Sequence, residues 1–293
     1  RQMCIRDSGD RPNIPSRRFD YHPGAASLSI EEETDVNGSD TQLLELRNIS
    51  KNFGGVTAVN NIDLEVTRGK IGGLIGPNGA GKTTLFNLVS GILKPTHGKV
   101  FFEGNDITGK SPSEIARKGL VRTFQANILF PEITVLDHVI LGFHLHSGIS
   151  LLSDLLNFPS TRRRREKLLE KAREIINFVG LDAYRSELAK NLSHGHQRAL
   201  GISIALAANP KLLMLDEPVA GMNAAEKERM MELVAGIRDQ GVTVLLVEHD
   251  MRFVMGLCDA IAVINFGEKI AQNTPEKIQN DPKVIEAYLG AEE

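Results

Sequence analysis

The sequence predicts an α/β fold in which a mostly parallel β-sheet is covered by helices on both faces. The apolar segment at residues 71–75 indicates a short buried strand that leads directly into a glycine-rich loop. Two further apolar segments, 212–216 and 242–248, have the length of buried strands, whereas residues 224–239 and 251–257 have helical patterns. Strands that alternate with helices in this way are typical of a parallel sheet.

Length, charge and cysteine content limit the functional class. The 293 residues suffice for one large or two small domains. The net charge of −3 argues against a general nucleic-acid-binding protein, which usually carries a basic excess, so we expect no nucleic-acid partner. Cys4 and Cys258 are too few for a disulfide framework, and we expect Cys258 to pack as a small hydrophobe in a reducing compartment. No apolar run approaches the roughly 20 residues that cross a bilayer.

The first 40 residues are predicted to be a disordered leader, because they are rich in Pro, Ser, Gly and acidic residues and lack an apolar period. Residues 1–8 are also similar to a peptide produced when sequencing-adapter DNA is translated, which makes them a candidate artefact. The folded domain is predicted to cover residues 41–293. It should begin with an edge strand at residues 42–49, followed by a pair of strands between Val56 and Val66.

The glycine-rich loop fits the pattern G-x-x-x-x-G-K-[ST], which binds nucleotide phosphates. Glycines allow the backbone N–H groups to point into one concavity, and the helix that follows adds about half a positive charge at its N-terminus. We expect Lys82 to reach the β- and γ-phosphates and the Thr83 hydroxyl to ligate Mg²⁺. The residues predicted to surround the phosphates are Gly76, Pro77, Asn78, Gly79, Ala80, Gly81, Lys82, Thr83 and Thr84.

Two adjacent carboxylates, Asp216 and Glu217, follow a buried strand. Ligands bind at strand ends in open α/β sheets, so both side chains should face the phosphate-binding loop. Asp216 can hold the magnesium shell, and Glu217 can accept a proton from the water that attacks the γ-phosphate. Some proteins with such a loop act only as switches, and the glutamate beside the aspartate is the feature that favours hydrolysis here.

Residues 126–190 are predicted to form a helical subdomain, because apolar residues recur at helical spacing behind four arginines at 162–165. We interpret the arginine run as a solvated helix start; contact with anionic lipid headgroups or with an acidic partner is the alternative. A short amphipathic helical tail is predicted at residues 274–293, packed on the core.

The order of motifs resembles the ATP-binding subunits of ABC transporters over residues 42–290. Taken alone, Phe53 could offer its ring face to an adenine or pack in the core, and Gln125 would be an ordinary surface residue at a strand end. The family's motifs correspond to the A-loop at Phe53, Walker A at 76–83, the Q-loop at Gln125, the signature at 192–197, Walker B at 212–217, the D-loop at 220–223 and the switch histidine at His249.

This resemblance implies a RecA-like P-loop NTPase core, an antiparallel β subdomain and an α-helical subdomain. Two subunits would meet head to tail, with each ATP held between one subunit's Walker A and the other's signature. There, Ser193, Gly195 and His196 would contact the nucleotide, with Ser193 and Gly195 facing the γ-phosphate. The resemblance further implies catalytic roles for Glu217, His249, Lys82 and Gln125, nucleotide contacts from Phe53, Gln125 and Asp216, and a Mg²⁺ site at Thr83, Gln125 and Asp216.

The signature departs from the common Leu-Ser-Gly-Gly-Gln, since residues 192–196 read Leu-Ser-His-Gly-His. The departure concerns the strength of the γ-phosphate contact and not its place. It also creates an H-x-H pair, as do His144 and His146. We predict no metal at either pair, because no further cluster of Cys or His accompanies them.

Within the family, an insert at 149–165 and the ending at 282–290 resemble the branched-chain amino-acid importer ATPases. The signature is also similar to that of urea and short-chain amide importers. The lipopolysaccharide-export ATPase shares the core and the tail, but the insert argues against it. A soluble ABC ATPase that acts on DNA or ribosomes would carry long coiled coils or two tandem ATPase domains, and the sequence shows neither.

The resemblance therefore predicts the ATP-hydrolysing subunit of an ABC importer for hydrophobic, branched-chain amino acids, with ATP and Mg²⁺ as cofactors. It implies a peripheral position on the cytoplasmic face of the plasma membrane. The implied partners are a second ATPase subunit, identical or related, two transmembrane permease subunits, and a periplasmic or extracellular substrate-binding protein.

Overall fold

The structure is a computed structural model that describes residues 41–123, 129–147 and 159–289. The predicted leader at residues 1–40 lies outside these ranges. The strands are β1 (Gln42–Phe53), β2 (Val56–Thr67), β3 (Ile71–Ile75), β4 (His97–Phe102), β5 (Asn105–Asp106), β6 (Leu120–Arg122), β7 (Leu212–Asp216), β8 (Thr243–Val247), β9 (Ala260–Asn265) and β10 (Glu268–Asn273). The helices are α1 (Lys82–Val89), α2 (Pro112–Arg117), α3 (Val135–Ser147), α4 (Pro159–Phe178), α5 (His194–Ala207), α6 (Ala224–Asp239), α7 (Met251–Leu257), α8 (Pro275–Gln279) and α9 (Pro282–Leu289).

The predicted α/β sheet is present, with strand order β10-β9-β3-β8-β7-β6. Strands β9, β3, β8, β7 and β6 pair in parallel, and their carboxyl ends therefore lie along one edge. β10 pairs antiparallel with β9 and was not predicted. Its central residues are all half-buried, so its sequence shows neither the apolar run of a central strand nor the alternation of a one-sided strand.

The second sheet is antiparallel, with order β2-β1-β4-β5. The prediction of an edge strand at residues 42–49 is wrong, because β1 lies between β2 and β4. The predicted pair of strands between Val56 and Val66 is also wrong, because β2 is one continuous strand. Asn61 has a φ of 48°, and the register shifts nearby. This irregularity interrupts the alternation of side chains without ending the strand.

Two apolar cores lie on opposite faces of the parallel sheet. Leu213 and Leu215 contribute to the core beneath α5, α6 and α7, whereas Leu212 and Met214 contribute to the core shared with α1 and the antiparallel sheet. Burial on both faces explains why β7 is an uninterrupted apolar run. Cys258 is buried in the first core, as predicted, and burial raises the pKa of its thiol to about 12.

The region predicted as a helical subdomain, residues 126–190, contains α3 and α4 in its described part. The predicted tail contains two helices instead of one, α8 and α9, and each begins at a proline. Proline fits the first position of a helix because its missing N–H is not needed there. Among the helices that the structure describes, none is both long enough and apolar enough to cross a membrane.

Candidate nucleotide-binding site

The phosphate-binding loop connects β3 to α1 and is confined on its inner side. A Cβ atom on Gly76 would lie 2.0 Å from the Ile264 carbonyl oxygen, and one on Gly81 would lie 2.6 Å from the Ala58 carbonyl oxygen. Gly81 is the N-cap of α1, has a left-handed conformation and makes no side-chain cap. The first-turn N–H groups of α1 therefore have no capping side chain, as a phosphate-binding helix end requires.

Gly76→Ala tests this confinement. We expect the variant to lose most of its ATP affinity and to unfold at a lower temperature, because the added methyl forces the loop away from β9. Thermal unfolding and ATP titration measure the two effects. Gly104→Ala is the matched control, since Gly104 also has a positive φ but no atom within 4 Å of the added Cβ. Equal losses in both variants would show that backbone strain, and not the close approach to Ile264, causes the effect.

Lys82 lies inside the loop that it is predicted to serve. Its Nζ donates to the carbonyl oxygens of Gly76 at 2.7 Å and Pro77 at 2.8 Å. Burial lowers the pKa of Lys82, and the nearby Glu217 carboxylate partly offsets that effect. The loop and the carboxylate end of β7 are therefore close enough to interact electrostatically.

Asp216 is a buried carboxylate with a buried counter-charge. Its Oδ2 accepts from Arg122 Nη2 at 2.7 Å, and the side chains of Asp216 and Arg122 are only 3% and 9% exposed. Sequence reasoning did not identify Arg122. The signal that could have identified it is a charged residue at the end of the otherwise apolar strand β6, which pairs in parallel with β7.

Glu217 directly follows β7, and His249 lies two residues after the adjacent strand β8. Glu217 has a left-handed backbone, with a φ of 47°, and its N–H donates to the Val247 carbonyl oxygen at 2.9 Å. His249 Nδ1 lies 3.9 Å from Glu217 Oε1. The structure thus brings Lys82, Asp216, Glu217 and His249 to one edge of the sheet.

Glu248 is a second buried carboxylate that sequence reasoning missed. Its Oε1 accepts from the Val219 N–H at 2.9 Å, and its Oε2 accepts from the N–H groups of His249 at 3.0 Å and Asp250 at 3.4 Å. It therefore fastens the segment that follows Glu217 to the segment that carries the switch histidine. A glutamate directly after an apolar strand was the available signal.

Asp250 holds the start of α7. Its Oδ1 accepts from the Phe253 N–H, and its Oδ2 pairs with Lys227 Nζ at 2.6 Å. The Lys227 ammonium and the Phe253 N–H lower the pKa of Asp250 from 3.8. Because the folded pKa lies below the unfolded one, this stabilisation is present above about pH 4 and is lost as pH falls through the folded pKa.

Asp250→Ala should therefore lower the stability at pH 7, and the difference from the unchanged protein should narrow below about pH 4. Chemical denaturation between pH 7 and pH 3 measures this difference. Asp239→Ala serves as the control, because that side chain is exposed and pairs only with its neighbour Arg238 among the contacts described. A deficit for Asp250→Ala that does not change with pH would contradict the electrostatic account.

The signature residues surround the start of α5. Ser193 is the N-cap, and its Oγ accepts from the His196 N–H at 3.3 Å. The His196 ring packs on Tyr184, with 4.4 Å between ring centroids. A Cβ on Gly195 would lie 3.0 Å from Glu226 Oε1. Among the contacts described, the signature therefore lies next to α6 and the segment before α5, and none joins it to the cluster of Lys82 and the carboxylates.

Of two further predicted nucleotide contacts, Phe53 and Gln125, the structure describes only Phe53. Phe53, at the end of β1, is 47% exposed, and Lys51 Nζ lies 5.1 Å from its ring centroid. Its ring belongs to neither core, so core packing does not account for it. Gln125 lies outside the described residues, and its role stays a prediction.

The residues at the predicted magnesium site suit a magnesium ion that a nucleotide brings with it. Among residues 41–123, 129–147 and 159–289, no three His, Cys, Asp or Glu side chains form a group that could hold a metal. Mg²⁺ usually binds through one or two protein oxygens, several waters and substrate phosphates. The Thr83 hydroxyl on α1 and the Asp216 carboxylate fit that requirement.

A strand, glycine-rich loop and helix that face carboxylates at neighbouring strand ends define a P-loop nucleotide-binding protein. Known proteins narrow the class. The family described as ABC transporter matches residues 59–220, and the family described as branched-chain amino acid ATP-binding cassette transporter matches residues 268–293. The chain belongs to the ABC transporter family and is an ATP-binding, ATP-hydrolysing subunit of that family.

Individual relatives extend this match over most of the chain. The high-affinity branched-chain amino acid transport ATP-binding protein LivG of Escherichia coli strain K12 is 44% identical over 249 residues, which cover 85% of this chain and 98% of LivG. BraF of Pseudomonas aeruginosa, a protein of the same description, is 42% identical over 249 residues, with the same coverage.

Solved structures confirm the fold. A nucleotide-free ATP-binding cassette from an ABC transporter is 35% identical, with a TM-score of 0.74 over 85% of this chain and 99% of that one. Another cassette, in its ADP conformation, is 35% identical, with a TM-score of 0.75 and the same coverage. The predicted ABC ATPase fold, with its α/β core and antiparallel β-sheet, is therefore correct.

Proposed function

We propose that this chain hydrolyses magnesium-bound ATP to energise the uptake of branched-chain amino acids through an ABC importer. The proposal of ATP hydrolysis rests on one observation. Four side chains meet at one edge of the parallel sheet: Lys82, Asp216, Glu217 and His249. The cargo is inferred from the resemblance to LivG and BraF, whose descriptions name branched-chain amino acids.

The chain's own residues supply positioning and charge. Lys82, whose ammonium contacts the Gly76 and Pro77 carbonyls, would exchange these oxygens for those of the β- and γ-phosphates. Thr83 and Asp216 would hold Mg²⁺, which when bound neutralises charge on the phosphates. Gln125 is proposed as a third ligand of Mg²⁺, on the basis of the family resemblance alone.

Glu217 is proposed as the general base. Its backbone places the carboxylate beside His249. Glu217 directly follows β7, and β8 lies between β7 and β3, the strand that leads into the phosphate-binding loop. A carboxylate there can accept a proton from the attacking water. His249 would donate a hydrogen bond to the γ-phosphate as negative charge spreads over the phosphate oxygens. Phe53 would cover the adenine with its exposed ring face.

The signature is proposed to act on the ATP of a second ATPase subunit. Ser193 already caps α5 and Gly195 lies in its first turn, so a γ-phosphate facing this helix end would meet N–H groups and the positive end of the helix dipole. His196 would support that helix end through its contact with Tyr184. The pair of subunits would be arranged head to tail, with identical or related chains.

The transporter proposed here also contains two permease subunits and a substrate-binding protein outside the membrane. The ATPase would lie peripherally on the cytoplasmic face of the membrane.

ATPase activity of the reconstituted complex tests which solute is transported. We expect leucine, isoleucine and valine, presented with the binding protein, to stimulate hydrolysis. Stimulation by urea alone would contradict the amino-acid cargo and retain the ATPase assignment.

A further inference from the structure

Arg122 connects two elements that the proposed reaction needs to hold in register. Through Nη2 it pairs with Asp216 Oδ2 at 2.7 Å, at the end of β7. Through Nη1 it donates to Asn87 Oδ1 at 2.7 Å and to Ser90 Oγ at 3.2 Å. Asn87 belongs to α1 and Ser90 is its C-cap. One guanidinium therefore joins the helix of the phosphate-binding loop to the carboxylate strand.

The surroundings of Arg122 leave little freedom for its side chain. The guanidinium carbon lies 5.5 Å from the centroid of the Phe86 ring, and β6 is held by parallel pairing of Arg122 with Met214 of β7. A planar guanidinium with fixed donor directions can serve two partners at once, which the single ammonium of lysine does poorly. The arrangement thus selects arginine by shape as well as by charge.

The charge of Arg122 also answers an energetic requirement. Asp216 is almost fully buried, and a buried carboxylate without a counter-charge is strongly destabilising. The ion pair uses only one of the two carboxylate oxygens. The pair with Arg122 supplies that counter-charge and fixes the direction of the Asp216 carboxylate without requiring a cation at its other oxygen.

We propose that Arg122 is a positioning residue that supplies the counter-charge of Asp216 before magnesium and nucleotide bind, and that fixes this carboxylate relative to α1. The proposal rests on the magnesium role of Asp216 under the proposed function. Arg122 itself touches neither ATP nor the metal in this account. It acts through Asp216, Asn87 and Ser90.

A double-mutant cycle on the full chain without nucleotide tests the pairing. Arg122→Met should lower the melting temperature by about 10 °C, because it leaves a buried carboxylate unpaired. Adding Asp216→Asn should recover at least about half of that loss, since the unpaired charge is then removed. Arg252→Met is the control: its side chain is 84% exposed and pairs with Glu228, so a change of no more than about 2 °C is expected.

The stabilisation that Mg-ADP confers provides a second readout. Magnesium supplies positive charge next to Asp216, so the rise in melting temperature on adding Mg-ADP should be larger in Arg122→Met than in the unchanged protein. ADP with EDTA should give no such excess. Arg122→Lys keeps the positive charge but not the forked guanidinium. Its rise in melting temperature on adding Mg-ADP should lie between those of Arg122→Met and the unchanged protein. If Arg122→Met does not fold, Arg122→Lys and Arg122→Lys/Asp216→Asn complete the same cycle.

The outcomes separate the two levels of the account. Strictly additive losses in the cycle would overturn the positioning role of Arg122, whatever the function of Asp216. Coupling in the cycle without any magnesium-dependent excess would overturn the link to the metal and count against the proposed magnesium site. Coupling together with the excess is the result that the proposal predicts.

Discussion

Glu217→Gln is expected to abolish repeated ATP hydrolysis while leaving ATP binding intact. The amide matches the carboxylate in shape but cannot accept a proton from water, and loss of a general base costs about 10²–10⁴-fold in rate. The backbone of Glu217 is held by its bond to the Val247 carbonyl, so the exchange leaves the loop in place. Steady-state phosphate release and binding of a fluorescent ATP analogue measure the two properties.

Glu228→Gln is the matched control for this experiment. Glu228 lies on α6, is exposed and pairs with Arg252. The Glu228→Gln variant should therefore hydrolyse ATP at the rate of the unchanged protein. Turnover by Glu217→Gln within about threefold of that control would be far above the loss expected for a missing base, and would remove Glu217 from the catalytic role.

Glu248→Ala is expected to lower the free energy of unfolding by about 3 kcal/mol or more. The Val219, His249 and Asp250 N–H groups all donate to this buried carboxylate; the bond from Val219 is buried and the other two are partly buried. A buried donor left without an acceptor costs about 1–3 kcal/mol. For a chain of this size the melting temperature should fall by roughly 6–12 °C. Chemical denaturation and thermal unfolding both measure the loss.

Two variants calibrate the Glu248 result. Glu248→Gln retains one carbonyl oxygen but brings an NH₂ group toward other N–H groups. Its free energy of unfolding should therefore lie between those of Glu248→Ala and the unchanged protein. Glu286→Ala removes an exposed glutamate of α9 and should change stability by no more than about 0.5 kcal/mol. A Glu248→Ala protein as stable as Glu286→Ala would show that the three N–H groups do not depend on Glu248.

The sequence was most informative where local chemistry dictates local structure. The glycine-rich loop could be assigned because its glycines, lysine and threonine lie within a few residues, between a short apolar strand and a helix. Strand β7 was equally clear, because burial on both faces leaves an apolar run that ends in Asp216 and Glu217. The same reasoning placed His249 at the end of the next strand.

Features that depend on distant pairings were missed. The Arg122–Asp216 pair joins residues 94 positions apart, and its hydrogen bonds to α1 depend on where the strands pack. The position of β1 within its sheet was misassigned for a related reason: strand order is set by pairing with β4, which the alternation of β1 does not encode. The half-buried β10 has no apolar periodicity that could reveal it.

ATP-driven uptake of radiolabelled leucine into proteoliposomes tests the central claim most directly. The vesicles would contain this chain with its proposed permease subunits and binding protein, and ATP would be supplied on the side of the ATPase. We expect uptake with the unchanged chain and none with Glu217→Gln, although both complexes assemble and bind ATP. Undiminished leucine uptake with Glu217→Gln, or no leucine uptake by a complex that hydrolyses ATP and responds to another solute, would contradict the account.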